Sequence, residues 1–265
     1  MLSALTVTAI GLAAIGFALP RLDAPAGRDA LAAPATRPQP EPTGVATTAQ
    51  PSTPLPTTAP PQPVFQLAGP VPSAGSGEFA FGTVQGEIAG RSGTLRRYRI
   101  AVEKGADEDV DEFGDAVEAT LSDPRSWIGG NQLRLQRVPD QAGHDFTIYL
   151  ATPQTAAQLC QSVYVDIRID GEPYTSCRGV GKVIINLARW RRSVEHFVSA
   201  QVPLDLYREY VINHEVGHEL GYGHERCPGS GEPAPVMMQQ TLFLNECVAN
   251  AWPYLDGERY AGPAV

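Results

Sequence analysis

The chain has 265 residues, enough for one or two domains. It carries 20 Lys and Arg against 29 Asp and Glu, a formal net charge of −9. No basic patch is visible that could neutralise phosphates, which argues against nucleic acid as a partner.

The chain is almost wholly apolar from Met1 to Leu19, and Pro20-Arg21 follows. A helix rising about 1.5 Å per residue over this length barely spans a hydrocarbon core of roughly 30 Å. No basic residue precedes the run, as a signal sequence should have, and a start further upstream would explain that. We read residues 1–20 as a membrane anchor. A signal peptide cleaved near Ala30 to Ala33 is the alternative, and either reading makes the protein extracytoplasmic, in the cell envelope or secreted. Residues 21–75 read as a Pro/Ala/Thr-rich linker, because 12 of the 24 prolines lie between Pro34 and Pro72. Such a segment lacks the apolar side chains to offset its ordering entropy, so an extended spacer is expected.

Residues 76–265 form the expected folded domain. Leu95 to Val102 alternates as a strand. Asp109 to Leu121 places Val110, Phe113, Val117 and Leu121 on one helical stripe, with acids facing solvent, and Asp123-Pro124 ends it. Leu133 to Val138 and Phe146 to Ala151 read as strands. Thr152-Pro153 opens a short helix, with Thr as N-cap and Pro in the first turn. Val183 to Leu187 is another strand, Trp190 a core anchor, and Leu204 to Leu220 a long helix. Strands first and a long helix after them give an α+β fold around a twisted mixed sheet.

That last helix carries His214-Glu215-Val216-Gly217-His218-Glu219-Leu220-Gly221-Tyr222-Gly223-His224, which reads H-E-x-x-H-x-x-G-x-x-H. Histidines four apart share one helix face, so His214 and His218 can reach one ion together. Gly221 can end the helix with a positive φ and let His224 return as a third ligand. Three imidazoles leave a fourth tetrahedral position open, as in a catalytic rather than a structural zinc site. Glu215 is placed to act on water without ligating the metal.

The motif resembles that of the metzincin metallopeptidases. The resemblance implies Zn2+ held by His214, His218 and His224, Glu215 as general base, and a methionine turn below the metal. Pro235-Val236-Met237-Met238-Gln239 is the candidate for that turn, with Met237 aligned best. Gly217 and Leu220 fit the matrixin-like form and Glu225 the astacin-like one. Where astacins have a tyrosine ligand, this chain has Gln239. Residues from about 76 to 260 are also similar to a family of exported actinobacterial proteins whose zincin-like domain is named as one of unknown function. Ser176-Cys177-Arg178, Asn186-Leu187, Arg189-Trp190, Pro235 to Thr241 and Trp252-Pro253-Tyr254 carry that similarity. The implied architecture is a metzincin-like zincin domain with a C-terminal Met-turn subdomain.

Four cysteines in an exported chain imply two disulfides, with three possible connectivities. Pairing neighbours, Cys160 with Cys177 and Cys227 with Cys247, makes the most physical sense, since the second bridge would tie the third histidine's segment to the methionine turn. Cys227 as a zinc ligand is the competing reading. His144 and His196 lie outside the motif and read as solvated residues. Tyr207, Tyr210 and Tyr222 are each conceivable oxyanion stabilisers, with core packing the default for the helical pair.

The expected function is an exported zinc metallopeptidase acting on peptide or protein substrates. The alternatives are a zinc-binding surface protein without turnover and an amidase acting on cell-wall peptides.

Overall fold

The computed structural model describes residues 62–265. The expected anchor and most of the expected linker therefore lie outside the described residues. The end of that linker does not stand apart from the domain. The Leu67 amide donates to the Arg191 carbonyl at 2.8 Å, Leu204 to the Val64 carbonyl at 2.8 Å, and Gln154 to the Ser73 carbonyl at 3.0 Å. Among the described residues no helix is long and apolar enough to cross a membrane.

The fold is mixed α+β. A short strand β1 (Phe79–Phe81) precedes the long β2 (Thr94–Glu103) and helix α1 (Val110–Ser122). A 3-10 turn (Trp127–Gly130) leads into β3 (Leu133–Arg137), β4 (Phe146–Ala151) and helix α2 (Pro153–Gln161). A small hairpin, β5 (Arg168–Ile169) with β6 (Glu172–Pro173), is followed by β7 (Cys177–Gly179) and β8 (Lys182–Asn186). Helices α3 (Leu187–Arg192), α4 (Glu195–Ser199) and α5 (Leu204–Glu219) come next. A last hairpin joins β9 (Tyr254–Leu255) and β10 (Glu258–Arg259).

The main sheet runs β1-β2-β4-β8-β7, with β3 also on β2. β3, β2, β4 and β8 are mutually parallel, whereas β1 and β7 are antiparallel edges. Parallel central strands are covered on both faces, so β4 and β8 are buried and apolar along most of their length, whereas β2 and β3 carry charged residues between their apolar ones. Val183 and Ile185 of β8 join the core under α1 and α5, and Ile184 between them joins the core under α2.

Local chemistry explains the helices. Asp109 caps α1 by accepting from the Asp111 and Glu112 amides at 2.8 and 3.0 Å. Phe113, Val117 and Leu121 are buried, and Phe113 meets the buried Trp190 edge-on at 4.9 Å. The acidic face of α1 does more than meet solvent. The buried Arg137 of β3 reaches Asp115 at 2.8 Å and Asp111 at 3.3 Å, through the space that Gly114 leaves by lacking a Cβ. Thr152 stands at the N-cap of α2, but its hydroxyl caps nothing. It donates to the buried Glu103 carboxylate at 2.8 Å, which also accepts the Thr152 amide at 2.7 Å. The free Gln154 amide of the first turn goes instead to the Ser73 carbonyl at 3.0 Å.

Candidate metal centre

Helix α5 ends where the motif requires. The Gly221 amide donates to the His218 carbonyl at 3.1 Å and the Tyr222 amide to the Gly217 carbonyl at 3.0 Å. This paired closure is a Schellman motif, with Gly221 at φ +98° as its left-handed residue. Because the chain reverses there, His224 comes back beside the helix.

His214, His218 and His224 each offer a ring nitrogen, and these nitrogens lie within 4.8 Å of one another. The Nε2 atoms of His218 and His214 are 3.2 Å apart, and those of His218 and His224 are 3.1 Å apart. The tetrahedral edge expected for nitrogens bound to one zinc ion is about 3.3 Å. The other ring nitrogens are committed. His214 Nδ1 donates to the Val236 carbonyl at 2.8 Å, and His218 Nδ1 to the Tyr222 carbonyl at 2.9 Å. Both Nε2 atoms therefore carry lone pairs, an arrangement that could hold a metal ion. Backbone carbonyls orient metal-binding imidazoles in just this way.

The electrostatics agree. Burial, then the neighbouring His218, pulls the His214 pKa down to about 3. Burial also lowers those of His218 and His224. All three stay neutral at neutral pH, as ligands must. Burial alone pushes the Glu215 carboxyl up to about 8.

The histidines and Glu215 line a cleft of about 520 Å³ whose other walls include Thr175, Arg178, Gln239 and Leu242. The edge strand β7 forms one side and the segment after Met238 the other. Met237 is fully buried, and a Cβ on Gly217 would overlap its Sδ and come within 2.5 Å of Trp127 Cζ2. The Met237 carbonyl accepts from the Glu225 amide at 3.1 Å, next to His224.

The cysteines pair as neighbours, Cys160–Cys177 and Cys227–Cys247, with Cα separations of 6.1 and 5.9 Å. Cys227 is therefore not a metal ligand, because its sulfur is bonded to Cys247. The two bridges fit an extracytoplasmic protein. His144 is exposed, whereas His196 is half-buried, with Nε2 2.7 Å from the Gln240 carbonyl, and braces the loop instead of meeting solvent. Tyr207 and Tyr210 are buried, donating or accepting at Thr241 and the Met238 carbonyl at 3.0 Å each. Tyr222 stacks on Trp127 at 4.5 Å.

Residues outside the sequence reading support the site. The buried Glu219 accepts from Arg178 at 2.8 Å and Arg96 at 3.2 Å, tying the end of α5 to β7 and β2. Asn213 accepts from Ser126 at 2.7 Å and donates to the Ala251 carbonyl at 3.0 Å. Glu219 had one readable signal, a charged residue on the histidine helix directly after the second ligand.

The fold and the site define an α+β domain with three histidines able to hold a metal ion. The chain belongs to the family described as "Protein of unknown function (DUF3152)", which matches residues 66–253. No curated protein matches the chain, and no solved structure does.

Proposed function

We propose that this protein is an extracytoplasmic zinc-dependent peptidase of metzincin type. The observation that carries the proposal is the convergence of three imidazole Nε2 atoms beside the buried Glu215 in one cleft. The H-E-x-x-H-x-x-G-x-x-H pattern, the Schellman closure at Gly221 and the buried Met237 packed on Gly217 add to it. Zinc bound by His214, His218 and His224 would supply a Lewis acid that polarises a carbonyl and acidifies water.

Glu215 accepts the proton of the attacking water and passes it to the leaving amine. Its raised pKa reflects a dry surrounding, which a nearby cation would lower into the working range. The Val236 and Tyr222 carbonyls hold the His214 and His218 rings in the tautomer that presents Nε2. The open cleft between β7 and the segment after Met238 receives an extended peptide or protein segment.

Cleavage of a mixed peptide library by the zinc-loaded protein, beside Glu215→Ala, tests the proposal. Cuts made by the parent and lost in the variant are expected. A folded, zinc-loaded parent that cuts nothing would instead mark a zinc-binding surface protein. Release of amines from purified wall material alone would mark an amidase.

A further inference from the structure

His224 is held differently from the other two histidines. His214 and His218 are fixed by α5, whereas His224 lies beyond the helix end, after Gly221 and Gly223. A ligand on such a segment must be positioned from outside. The Glu225 amide reaches the Met237 carbonyl, and the Cys227–Cys247 bridge begins three residues after His224.

The remaining support comes from the C-terminal residues. The Val265 amide donates to the His224 carbonyl at 3.1 Å and the Arg226 amide to the Pro263 carbonyl at 2.8 Å. Glu225 and Ala264 form an antiparallel bridge between them. The Glu225 carboxylate accepts from Arg259 Nη2 at 2.9 Å and from the Gly262 amide at 3.3 Å. The Arg259 guanidinium also lies 5.4 Å from the Tyr222 ring, whose residue carries the carbonyl that orients His218. A Cβ on Gly262 would overlap the Arg226 carbonyl and come within 2.7 Å of Pro235 Cγ, so the approach is close along the whole contact.

We propose that Arg259 to Val265 form a brace for the third metal ligand and set the affinity and lifetime of the bound metal. The proposal rests on the metal-centre reading above. It concerns residues beyond the stretch matched by the family, 66–253. An unbraced loop ligand loses conformational freedom when the metal binds, whereas a braced one has already lost it on folding. Glu225 and Arg259 act as positioning residues and touch neither metal nor substrate.

Zinc affinity of the full chain, measured against a competing chelator, tests this beside the metal-free unfolding midpoint. The variants are a chain ending at Tyr260, Glu225→Gln, Arg259→Gln and Arg259→Lys. Removing 261–265 is expected to weaken zinc binding by about 10- to 100-fold, the usual effect of losing outer supports of a metal site. Glu225→Gln and Arg259→Gln should each weaken it about fivefold, with Arg259→Lys recovering part of the loss. The metal-free midpoint should move far less than the zinc affinity. Affinities within twofold of the parent in the shortened chain and in Glu225→Gln would overturn the brace. If the shortened chain fails to fold, the three point variants decide by the same criterion. A parent that binds no zinc would overturn the metal centre itself, and the brace with it.

Discussion

Gly217 sits on α5 between His214 and His218, and it has no room for a side chain. Met237 and Trp127 fill the place where its Cβ would be. Gly217→Ala should therefore destabilise the domain by about 1–3 kcal/mol through overpacking, as read by urea unfolding. It should also weaken metal binding, because the helix must shift away from the Val236 carbonyl that orients His214. Glu215 makes a second residue-scale prediction, for the metal-free protein. Its folded pKa, about 8, lies above the ordinary value of 4.5. The folded state then binds the proton more tightly, so stability is full below pH 4.5 and is lost as pH rises toward 8. His214 runs the other way: its folded pKa of about 3 lies below 6.5, so its contribution is present above pH 6.5 and lost as pH falls toward 3. Unfolding of the metal-free parent and of Glu215→Gln across pH 6.5 to 9, above the range where His214 contributes, should show the parent losing stability with rising pH and the variant losing much less. The slope is bounded at about 1.4 kcal/mol per pH unit for one proton. The motif residues were legible in the sequence because their spacing matches the helix period. Glu219 was not, since its partners Arg96 and Arg178 arrive from strands 123 and 41 residues away.

At the scale of elements, segments with an apolar run or a clear start signal were readable, short β3, β8 and α2 included, and those without one were not. Strand β4 and helix α5 fall within a residue of their expected bounds, because each repeats its pattern over several residues and ends at a turn signal. Strand β7 has three residues, one of them Gly, so no alternation could announce it. Its place is set by pairing with β8 and by the bridge from Cys177 to Cys160. Helices α3 and α4 have six and five residues, too few for a stripe. Only the Asn186 cap of α3, accepting from the Ala188 amide at 2.9 Å, left a local sign. The two disulfides should differ in what they support. Cys227 and Cys247 are 20 residues apart, and replacing both by Ser should cost about 3 kcal/mol. It should also lower metal affinity, since that bridge adjoins His224. Replacing Cys160 and Cys177 should destabilise by a similar amount with a smaller effect on affinity. Thermal unfolding with and without zinc separates the two outcomes.

For the whole molecule, the order of strands and helices gave the α+β class, but the extent of the packed chain was harder to read. Residues 62–75 look like spacer by composition, yet Val71 packs against the main core and backbone bonds fasten Val64, Leu67 and Ser73. Proline-rich composition reports how little a segment can bury by itself and says nothing of a groove that other elements offer it. A chain beginning at residue 76 should be less stable than one beginning at 62 by about 2–4 kcal/mol, in proportion to the hydrogen bonds lost, as read by urea unfolding. The tail beyond residue 253 was equally silent in the sequence. Its hydrogen-bond partners Glu225 and Pro233 lie 27 to 37 residues away along the chain, and contacts at that range leave no local pattern.

The measurement closest to the central claim is the metal content and coordination of the purified protein, read by X-ray absorption. The account predicts one zinc per chain, bound by three imidazole nitrogens at about 2.0–2.1 Å, with loss of the metal in His218→Ala. Sulfur in the coordination shell, or binding unchanged in His218→Ala, would contradict it.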